Sequence, residues 1–497
     1  MVKVLNTNQV KQIEQDTIKS ESILSLDLME RAANAFVQWF VHQYKANNKI
    51  GVICGTGNNG GDGLAIARLL KKWSYTVNVW IVNGNKETDN FKANLTRLDQ
   101  LISPLEIKET HDVPRFENQH ILIDAIFGTG LTRSVEGVAA KVIEAINQSK
   151  ATRIAIDVPS GLLLESHSNG AIVKADFTIA FQIPKLAFFL PENSKFVSQW
   201  KCLEIGLNRK ILSEIETSLF YVERTSIKAK LTRRSTFDHK GDNGKALLVA
   251  GSYGKMGACI LAAKAALRSG VGLLTIHVPT CGLDVIQSTV PEAMASVDSN
   301  NQSLSYVMVS SGFNVIGVGP GLGQSKETIN GFAKLLEQST PMVIDADALN
   351  ILSQHKEMLK TIHAGSILTP HPKEFERLVG SWKDDFHRLE KQKQLAAHTQ
   401  CVVVLKGAYS SIVSPEGTVY FNSTGNPGMA KGGTGDVLTG ILTSLLAQGY
   451  SALDAALIGV YLHGLAGDIA AREKGMDSLV ASDLINFLPE AFLKLRS

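Results

Sequence analysis

The segment from Lys49 to Lys72 restricts the fold more than any other part of the sequence. It reads KIGVICGTGNNGGDGLAIARLLKK: a short apolar run, five glycines within Cys54–Gly63, and then apolar residues at helical spacing. A buried strand that turns at once into a helix is the first half of a βαβ unit, and such units build parallel sheets covered on both faces. We therefore expect an α/β protein.

The same alternation continues along the chain in two series. The first contains the strand patterns TVNVWIV, HILIDAIF, TRIAIDV and DFTIAF, and the second begins at KALLVAG after a polar, basic stretch at 206–236. A chain of 497 residues exceeds what one hydrophobic core usually organises. We predict two domains, a Rossmann-like, three-layer, doubly wound unit at 1–215 and a second α/β domain at 225–497.

Composition excludes several classes of protein. Apolar residues make up 44% of the chain and the formal net charge is +3, which does not fit a disordered or nucleic-acid-coating protein. Five cysteines without a CxxC pair indicate neither zinc nor disulfides. We find no uninterrupted apolar stretch of spanning length and no secretory signal, so we expect a cytoplasmic protein without a membrane partner. We also expect a homo-oligomer that acts on small-molecule substrates and does not bind nucleic acid.

The first glycine-rich segment has the spacing of a phosphate-binding turn. Gly55, Gly57 and Gly60 satisfy GxGxxG between a strand and a helix, where a pyrophosphate rests on backbone N–H groups. The next strand, however, ends in Asn83 and Asn85 instead of the acidic residue that binds ribose in dehydrogenases. The pattern therefore argues against a dehydrogenase that transfers hydride. A tight strand–helix turn that binds no ligand, and in which the glycines are needed only for the backbone conformation, explains the pattern equally well.

Oxygen-bearing side chains follow several strands of the first series. Asp124 stands in LIDAIFGTGL, and Asp157 and Ser160 stand in AIDVPSG, while Asn59 and Asp62 follow the first strand. In open α/β sheets these strand ends converge on one crevice. Hard oxygen ligands suit an alkali or alkaline-earth cation, although each residue alone fits helix capping as well.

The second glycine-rich segment, GNPGMAKGGTGDVLTGILTSLL, places a carboxylate at a helix start. Gly432, Gly433, Thr434 and Gly435 offer free N–H groups and the positive end of a helix dipole, a pocket for a transferring phosphoryl group. Asp436 would repel phosphate, so it makes sense as the base for an attacking hydroxyl. The alternative is a plain helix cap, and no Walker-type GxxxxGK[ST] occurs in the chain.

Three further acidic residues are magnesium candidates. Asp345 and Asp347 stand in VIDADALN, and Glu374 follows TPHPK. Magnesium and helix capping both fit, and we favour capping for the two aspartates.

The motifs NNGGDG, DAIFGTGL, DVPSG and FQIPK occur in this order over about the first 210 residues, and together they resemble the NAD(P)H-hydrate epimerase family. By that resemblance Asp157 contacts the modified nicotinamide ring as base or binding residue, and Asn59, Asp124 and Ser160 hold potassium. The remaining substrate contacts implied are Asn58, Asn59, Gly60, Gly61, Asp62, Gly128, Thr129, Gly130, Leu131, Thr132, Arg133 and Ser134. The segment GTGLTRSVEG is less glycine-rich than is typical, which puts Arg133 and Ser134 in doubt.

From His239 onward the motifs HKGDNGKALLVAGS, IGVGPGLG, DADALN, LTPHPKEFERL and GNPGMAKGGTGDVL resemble the ADP- or ATP-dependent NAD(P)H-hydrate dehydratases of the ribokinase-like superfamily. The resemblance implies that Ala258, Gly321, His371 and Asp436 contact the hydrated dinucleotide, although His371 alone could be a satisfied loop histidine. The implied nucleotide contacts are Lys406, Gly407, Ala408, Tyr409, Ser410 and Gly435, with Gly432, Gly433 and Thr434 in the anion pocket.

Together the two resemblances imply a bifunctional repair enzyme. Its first domain interconverts the two epimers of hydrated NAD(P)H, and its second dehydrates one of them by phosphorylating the ring hydroxyl, with ADP modestly favoured over ATP and with potassium and magnesium as cofactors. Two alternatives remain: a vitamin-precursor kinase with an N-terminal ligand-binding module, and an N-terminal domain that acts as a noncatalytic interaction module, as in RNA-processing scaffolds.

Overall fold

The computed structural model describes residues 1–84, 86–307 and 312–497, so Asn85 lies outside the described residues. The chain divides into two compact units. The N-terminal unit comprises Val2–Thr217 with Asp384–Phe386, and the C-terminal unit comprises Met1, Ser218–Lys383 and His387–Ser497. The boundary between the two units, at 217/218, lies between the predicted end of the first domain at 215 and the predicted start of the second at 225. The sequence did not predict that residues 384–386 belong to the N-terminal unit.

The N-terminal unit is built on parallel strands with helices between them. Its strands are β1 (Val2–Lys3), β2 (Lys49–Cys54), β3 (Thr76–Val82), β4 (Leu105–Ile107), β5 (Ile121–Ala125), β6 (Thr152–Ile156), β7 (Ala175–Phe181) and β8 (Val197–Leu203). Its α-helices are α1 (Thr7–Glu21), α2 (Ser25–Gln43), α3 (Asn58–Lys72), α4 (Asp89–Asp99), α5 (Gly137–Gln148) and α6 (Arg209–Glu214).

Seven of these strands form one sheet in the order β4-β3-β2-β5-β6-β7-β8, and every pair in it is parallel. The order reverses between β2 and β5. In a doubly wound sheet this switch point opens a crevice at the carboxyl ends of the strands, where ligands bind. The doubly wound α/β fold predicted for this part of the chain is confirmed.

The glycine-rich segment is largely helical, which the sequence analysis missed. Helix α3 begins at Asn58, and a Cβ on Gly60 would lie 1.8 Å from the carbonyl oxygen of Gly55. A Cβ on Gly63 would lie 2.6 Å from the Cβ of Ala125 on β5. Gly60 and Gly63 therefore let α3 pack closely on the sheet, which agrees with the alternative that the glycines serve only to shape a tight turn. A Cβ on Gly57, in contrast, would meet nothing within 4 Å.

The C-terminal unit contains a longer, mixed sheet. Its strands are β9 (Leu219–Tyr221), β10 (Lys245–Val249), β11 (Leu273–Val278), β12 (Met294–Val297), β13 (Val315–Val318), β14 (Met342–Ile344), β15 (Ile367–Leu368), β16 (Val402–Leu405), β17 (Ser411–Val413) and β18 (Val419–Phe421). Its α-helices are α7 (Arg224–Lys228), α8 (Met256–Arg268), α9 (Leu283–Thr289), α10 (Lys326–Leu336), α11 (Ala346–Gln354), α12 (Pro372–Val379), α13 (Asp385–Thr399), α14 (Thr434–Ala447), α15 (Ala452–Lys474) and α16 (Ala481–Arg496).

These strands lie in the order β9-β18-β17-β16-β15-β14-β13-β10-β11-β12, with the switch point between β13 and β10. The pairs from β16 across β14, β13 and β10 to β12 are parallel, whereas β17 is antiparallel to both of its neighbours. The segment SSIVSPEGTVYFN is therefore a hairpin, in which Pro415 and Glu416 turn the chain and the Gly417 N–H donates to the Ser414 carbonyl (2.9 Å).

Helix α14 is the central helix of this unit. The apolar residues from Val437 to Leu446 are buried, but so is every other residue from Val437 to Ala447, including Thr439 and Ser444. A Cβ on Gly440 would lie 2.0 Å from the carbonyl oxygen of Ala262 on α8, so the two helices touch backbone to backbone. The helix is a core element surrounded by protein rather than a one-sided surface helix.

Among the described residues, only α15 is long and apolar enough to cross a bilayer, although we expected no such segment. Two-thirds of its apolar stretch is buried inside the C-terminal unit (67%), as in the core helix of a globular domain. The five cysteines form no disulfide, and Cys54, Cys259 and Cys401 are buried.

Candidate active sites

A buried carboxylate lies at the switch point of the N-terminal sheet. Asp124, at the end of β5, is 1% exposed, and its oxygens accept hydrogen bonds from Ser160 Oγ (2.5 Å) and from the Ser160 N–H (2.8 Å). Burial raises the pKa of Asp124 to about 6, against the lowering effect of these bonds. The pair has no formal positive charge of its own, so a cation would relieve the cost of burying this carboxylate.

Asn59 adds an unsatisfied amide to the same region. It is the second residue of α3, it is 8% exposed, and its Nδ2 atom has no hydrogen-bond partner. A Cβ on Gly128 would lie 3.1 Å from the Cβ of Asn59, so the Gly128 loop passes directly over this side chain. Turning the amide by 180° points its oxygen where the nitrogen now lies, and Asn59, Asp124 and Ser160 then form an oxygen donor set that fits an alkali cation.

Asp157 is held in a strained position near this set. Its φ angle is +61°, a left-handed conformation that a non-glycine residue adopts only when its surroundings enforce it. Its Oδ1 atom accepts hydrogen bonds from the Phe181 N–H (3.1 Å) and from Lys185 Nζ (2.7 Å). Lys185 is 2% exposed, and this ion pair was not anticipated, although the lysine stands in the motif FQIPK.

Two further carboxyl groups interact with Asp157. Burial, followed by the repulsion of Asp157, raises the pKa of Glu14 on α1 to about 7 and that of Asp62 on α3 well above its usual range. Asp62 was predicted as a site residue, whereas Glu14 was missed. Its only sequence signal is a single glutamate in an amphipathic helix, which is an ordinary surface feature.

The other predicted residues of this site lie around its rim. Asn58 is exposed at the first position of α3, and the loop from Gly128 to Ser134 continues from β5, with Gly130, Thr132 and Arg133 exposed. The hydroxyl of Thr7, at the start of α1, donates to the carbonyl of Thr129 (3.5 Å), which places α1 beside this loop. Gly60 and Gly61, in the first turn of α3, are buried.

In the C-terminal unit the charged groups gather at the start of α14. Asp345 is 1% exposed and accepts hydrogen bonds from Lys406 Nζ (2.8 Å) and Thr439 Oγ1 (2.8 Å). Burial, followed by the repulsion of Asp345, raises the pKa of Asp436 to about 6, and Lys406 opposes that rise. Asp436 is therefore a half-buried base that is mostly ionised at neutral pH.

The turn that precedes Asp436 leaves its backbone donors free of side-chain caps. Gly433 occupies the N-cap position with φ +91° and makes no side-chain capping bond. His463, on α15, contacts the carbonyl of Thr434 through Nε2 at 2.9 Å, and burial lowers the pKa of His463 to about 4. A neutral histidine thus fixes the turn, and the N–H groups of the first helical turn remain available to an anion.

A cavity of about 550 Å³ opens beside this turn. The predicted residues that line it are His371, Lys406, Gly407, Ala408, Ser410, Thr434 and Gly435. The lining residues that the sequence analysis missed include Asn422, Thr424, Asn426, Met429 and His463. Four other predicted residues do not line the cavity, namely Tyr409, Gly432, Gly433 and Asp436.

Ala258 and Gly321, two predicted substrate contacts, lie against each other. A Cβ on Gly321 would lie 3.3 Å from the Cβ of Ala258. Asp436 contributes to the raised pKa of Cys259, the neighbour of Ala258 on α8, although burial is the main cause. This interaction places Asp436 in the neighbourhood of α8.

The preference for capping at the two aspartates is wrong. Asp345 stands at the N-cap position of α11 but makes no side-chain capping bond, because its carboxylate is engaged by Lys406 and Thr439. Asp347 accepts from the Gly323 N–H (2.8 Å) and pairs with Lys255, and these bonds outweigh burial and lower its pKa.

Glu374 and His371 cap a helix together. Glu374 accepts from the His371 N–H (2.9 Å), and His371 Nδ1 accepts from the N–H groups of Lys373 and Glu374 at the start of α12. Burial raises the pKa of Glu374 and lowers that of His371. No cluster of three His, Cys, Asp or Glu side chains suited to a metal occurs at residues 1–84, 86–307 or 312–497, so a preformed magnesium site does not fit these residues.

Each unit thus has a carboxylate paired with a lysine, and a helix start without a side-chain cap at a switch point or beside a cavity. These features define a two-domain α/β enzyme acting on anionic nucleotides. A family profile described as YjeF-related protein N-terminus matches residues 25–187, and one described as NAD(P)H-hydrate dehydratase matches residues 246–490. The chain belongs to the family of bifunctional NAD(P)H-hydrate repair enzymes.

The relatives match over nearly their whole length. The bifunctional NAD(P)H-hydrate repair enzyme Nnr of Thermofilum pendens is 34% identical over 100% of this chain and 97% of its own. The enzyme of the same name from Moorella thermoacetica is 36% identical over 94% of this chain and 92% of its own. An ADP/ATP-dependent NAD(P)H-hydrate dehydratase from Bacillus subtilis, co-crystallised with ATP and Mg²⁺, is 32% identical and covers 56% of this chain and 98% of its own, with a TM-score of 0.49.

Proposed function

We propose that this chain repairs hydrated NADH and NADPH by two reactions. The N-terminal unit interconverts the two epimers, and the C-terminal unit dehydrates one of them at the expense of ADP or ATP. The observation that carries the proposal is the carboxylate of Asp436 in the first turn of a helix that has no side-chain cap, directly after Gly435, which lines the Lys406 cavity. This arrangement supports a base next to a pocket that binds a phosphoryl donor.

In the C-terminal unit, Asp436 takes the proton of the ring hydroxyl as that oxygen attacks the terminal phosphorus of the nucleotide. The N–H groups at the start of α14, with Lys406, stabilise the charge that develops on the phosphoryl oxygens, an effect worth about 3 to 4 kcal/mol for one donor in comparable sites. The phosphate ester then leaves as the ring nitrogen donates its electron pair, which restores the ring double bond. Because the carboxylates nearby are already engaged, Mg²⁺ would arrive with the nucleotide phosphates.

In the N-terminal unit, Asp157 lies beside the ring carbon that bears the hydroxyl, and residues 58–62 and 128–134 hold the rest of the dinucleotide. Asn59, Asp124 and Ser160 would hold K⁺, which supplies a fixed positive charge next to the substrate phosphates. A cytoplasmic location and a homo-oligomeric state are part of the same proposal. The kinase alternative differs in one respect, since it predicts a stable phosphorylated product.

One pair of substitutions tests the two-site proposal. We expect Asp436→Asn to lower dehydration about 10²- to 10⁴-fold, because the amide cannot take the proton, and to leave epimer exchange unchanged. Asp157→Asn should give the opposite pattern. Hydrated NADH is supplied as both epimers with ADP or ATP, and the returning dihydronicotinamide absorbance and the epimer ratio are followed. Loss of both activities in either variant contradicts the division, and a stable phosphorylated product favours the kinase.

The potassium site has its own test. K⁺ should raise the melting temperature of the chain relative to tetramethylammonium at equal ionic strength, because an ion bound only by the folded state stabilises it. Asp124→Asn should abolish the difference between the two salts. An equal response of both proteins would contradict the assignment.

A further inference from the structure

The motif FQIPK, which begins at the last residue of β7, engages one oxygen of Asp157. The Phe181 N–H donates to Asp157 Oδ1 at 3.1 Å, and Lys185 Nζ donates to the same oxygen at 2.7 Å. The carbonyl of Ile183 accepts a second bond from Lys185 Nζ at 2.9 Å, which fixes the direction of the ammonium group. Both donors to Oδ1, and the acceptor that orients one of them, therefore come from this single motif.

The other carboxylate oxygen of Asp157 is open. In the part of the chain that the structure describes, Oδ2 accepts no hydrogen bond, and it is not one of the buried polar atoms that lack a partner. The side chain of Asp157 is 15% exposed, whereas that of Lys185 is 2% exposed. Protein thus encloses the ammonium group, while Oδ2 reaches open space.

Hydrogen bonds also tie the loop that follows Asp157 to the switch point of the sheet. Ser160, in that loop, donates to Asp124 through its N–H (2.8 Å) and through Oγ (2.5 Å). The Phe127 N–H, after β5, donates to the same Oγ at 2.8 Å. At the start of the loop, the Asp157 N–H donates to the Ile179 carbonyl on β7 (2.8 Å). Asp157 is therefore fixed at the same carboxyl edge of the sheet as Asp124.

Stability alone does not explain the buried pair of Asp157 and Lys185. Removing a carboxylate and an ammonium group from water costs about as much as their attraction returns, and apolar residues in their place are often equally stable. Asp157 also keeps a φ angle of +61°, a strained conformation of the kind that clusters at functional sites. Both features cost free energy, and both fix the direction of one carboxylate.

We propose, on the basis of the epimerase function proposed above, that Lys185 is a positioning residue of the N-terminal site. With the Phe181 N–H it fixes Oδ1 of Asp157, so that Oδ2 is the oxygen that exchanges a proton with the hydroxyl of the hydrated nicotinamide ring. Lys185 itself transfers no proton, and its charge at 2.7 Å favours the ionised form of the carboxylate.

The proton transfer at Oδ2 is balanced in both directions. When water adds to the cationic form of the ring, an oxygen electron pair forms the C–O bond, the C=N electrons return to nitrogen, and Oδ2 takes the surplus proton. In the reverse step Oδ2 returns that proton to the hydroxyl. The C–O bond then breaks, water leaves, and the nitrogen electron pair forms the C=N bond again.

The test is the Lys185→Met variant of the full chain, assayed for interconversion of purified epimers of hydrated NADH without nucleotide. Methionine keeps most of the length of the side chain but has no donor. We expect kcat to fall about 10- to 10²-fold with KM changed less than about threefold, because Oδ2 is no longer held in line with the hydroxyl. Lys201→Met makes the same change at an exposed position of β8 and should leave exchange intact.

Two further measurements show whether Lys185 acts through Asp157. In the Asp157→Asn chain, adding Lys185→Met should not lower the residual exchange further, because the carboxylate that Lys185 positions is already absent. Propylammonium replaces the part of the side chain that Lys185→Ala removes, so it should restore part of the kcat of that variant. Tetramethylammonium has the same charge but no N–H donor, and it should not.

Folding is tested separately from positioning. Lys185→Met leaves Asp157 without its partner, so the variant is first examined by circular dichroism, and its nucleotide-driven dehydration in the C-terminal unit should be unchanged. If the variant does not fold, Lys185→Arg replaces it, because arginine keeps the positive charge. The same loss of kcat is expected there, since a planar guanidinium group holds the carboxylate in a different direction.

The proposal is overturned if Lys185→Met, or Lys185→Arg in its place, keeps more than half of kcat. It is also overturned if removing Lys185 lowers exchange by the same factor with and without the Asp157 carboxylate. Absence of exchange in the unaltered chain is a distinct result, because it would contradict the epimerase function itself and the positioning role with it.

Discussion

At the scale of single residues, burial has opposite effects on two groups at the start of α14. It lowers the pKa of His463 to about 4 and raises that of Asp436 to about 6. The pKa of His463 lies below its usual 6.5, so the unfolded chain binds a proton more readily than the folded chain. The stability that neutral His463 provides is therefore present above about pH 6.5 and is lost as pH falls toward 4.

This difference leads to a prediction for His463→Gln. At pH 7.5 the variant should be about 1 kcal/mol less stable, because the bond to the Thr434 carbonyl is weakened. At pH 5 the difference in the free energy of unfolding should be smaller, because only the unaltered protein loses stability when the unfolded chain takes up a proton at His463. Urea unfolding of the C-terminal unit, recognised by the shift that nucleotide causes, measures both gaps. Equal gaps at the two pH values would contradict a buried neutral histidine.

Residues whose roles depend on chain order could be predicted from the sequence, and those that depend on contacts could not. Asp124, Asp157 and Asp436 follow strands or begin helices, so their place at a sheet edge can be deduced from pattern alone. Lys185 pairs with Asp157 from a loop, and Glu14 interacts electrostatically with Asp157 from α1. Neither spacing nor residue type distinguishes these two residues from surface charges.

At the scale of elements, the close packing of α3 on the sheet makes a sharp prediction. Gly60→Ala should cost about 3 kcal/mol or more and abolish epimer exchange, because its Cβ would lie 1.8 Å from the Gly55 carbonyl oxygen. Gly57→Ala is the matched control in the same segment, and it should cost less than about 1 kcal/mol because the space around it is open. Thermal unfolding of the N-terminal unit measures both. Similar losses in the two variants would show that the glycines act through backbone freedom instead of packing.

The alternation of strands and helices was predictable because apolar runs and glycine turns are local signals. The helical start of NNGGDG was not, since glycine disfavours helix interiors and only the packing against Gly55 and Ala125 explains its presence there. The hairpin of β17 and β18 has a local signal as well, because SPEG is a turn sequence between the two short apolar runs SIV and VYF.

At the scale of the whole molecule, each unit has its own core and its own candidate site. The epimer made by one site should therefore reach the other as a free metabolite. We expect an equimolar mixture of the Asp157→Asn and Asp436→Asn chains to recover both epimers fully with nucleotide, whereas the doubly substituted chain recovers neither. The assay is the return of dihydronicotinamide absorbance at several dilutions. A mixture that stops after one epimer would contradict free exchange.

The burial of α14 from Val437 to Ala447 has one further consequence. Dissolved salt weakens the dipole of a surface helix, but ions cannot approach the part of α14 that protein encloses, so only its first turn is open to them. Ionic strength should then alter how strongly the free nucleotide is captured from solution far more than how fast its phosphate moves once it is bound.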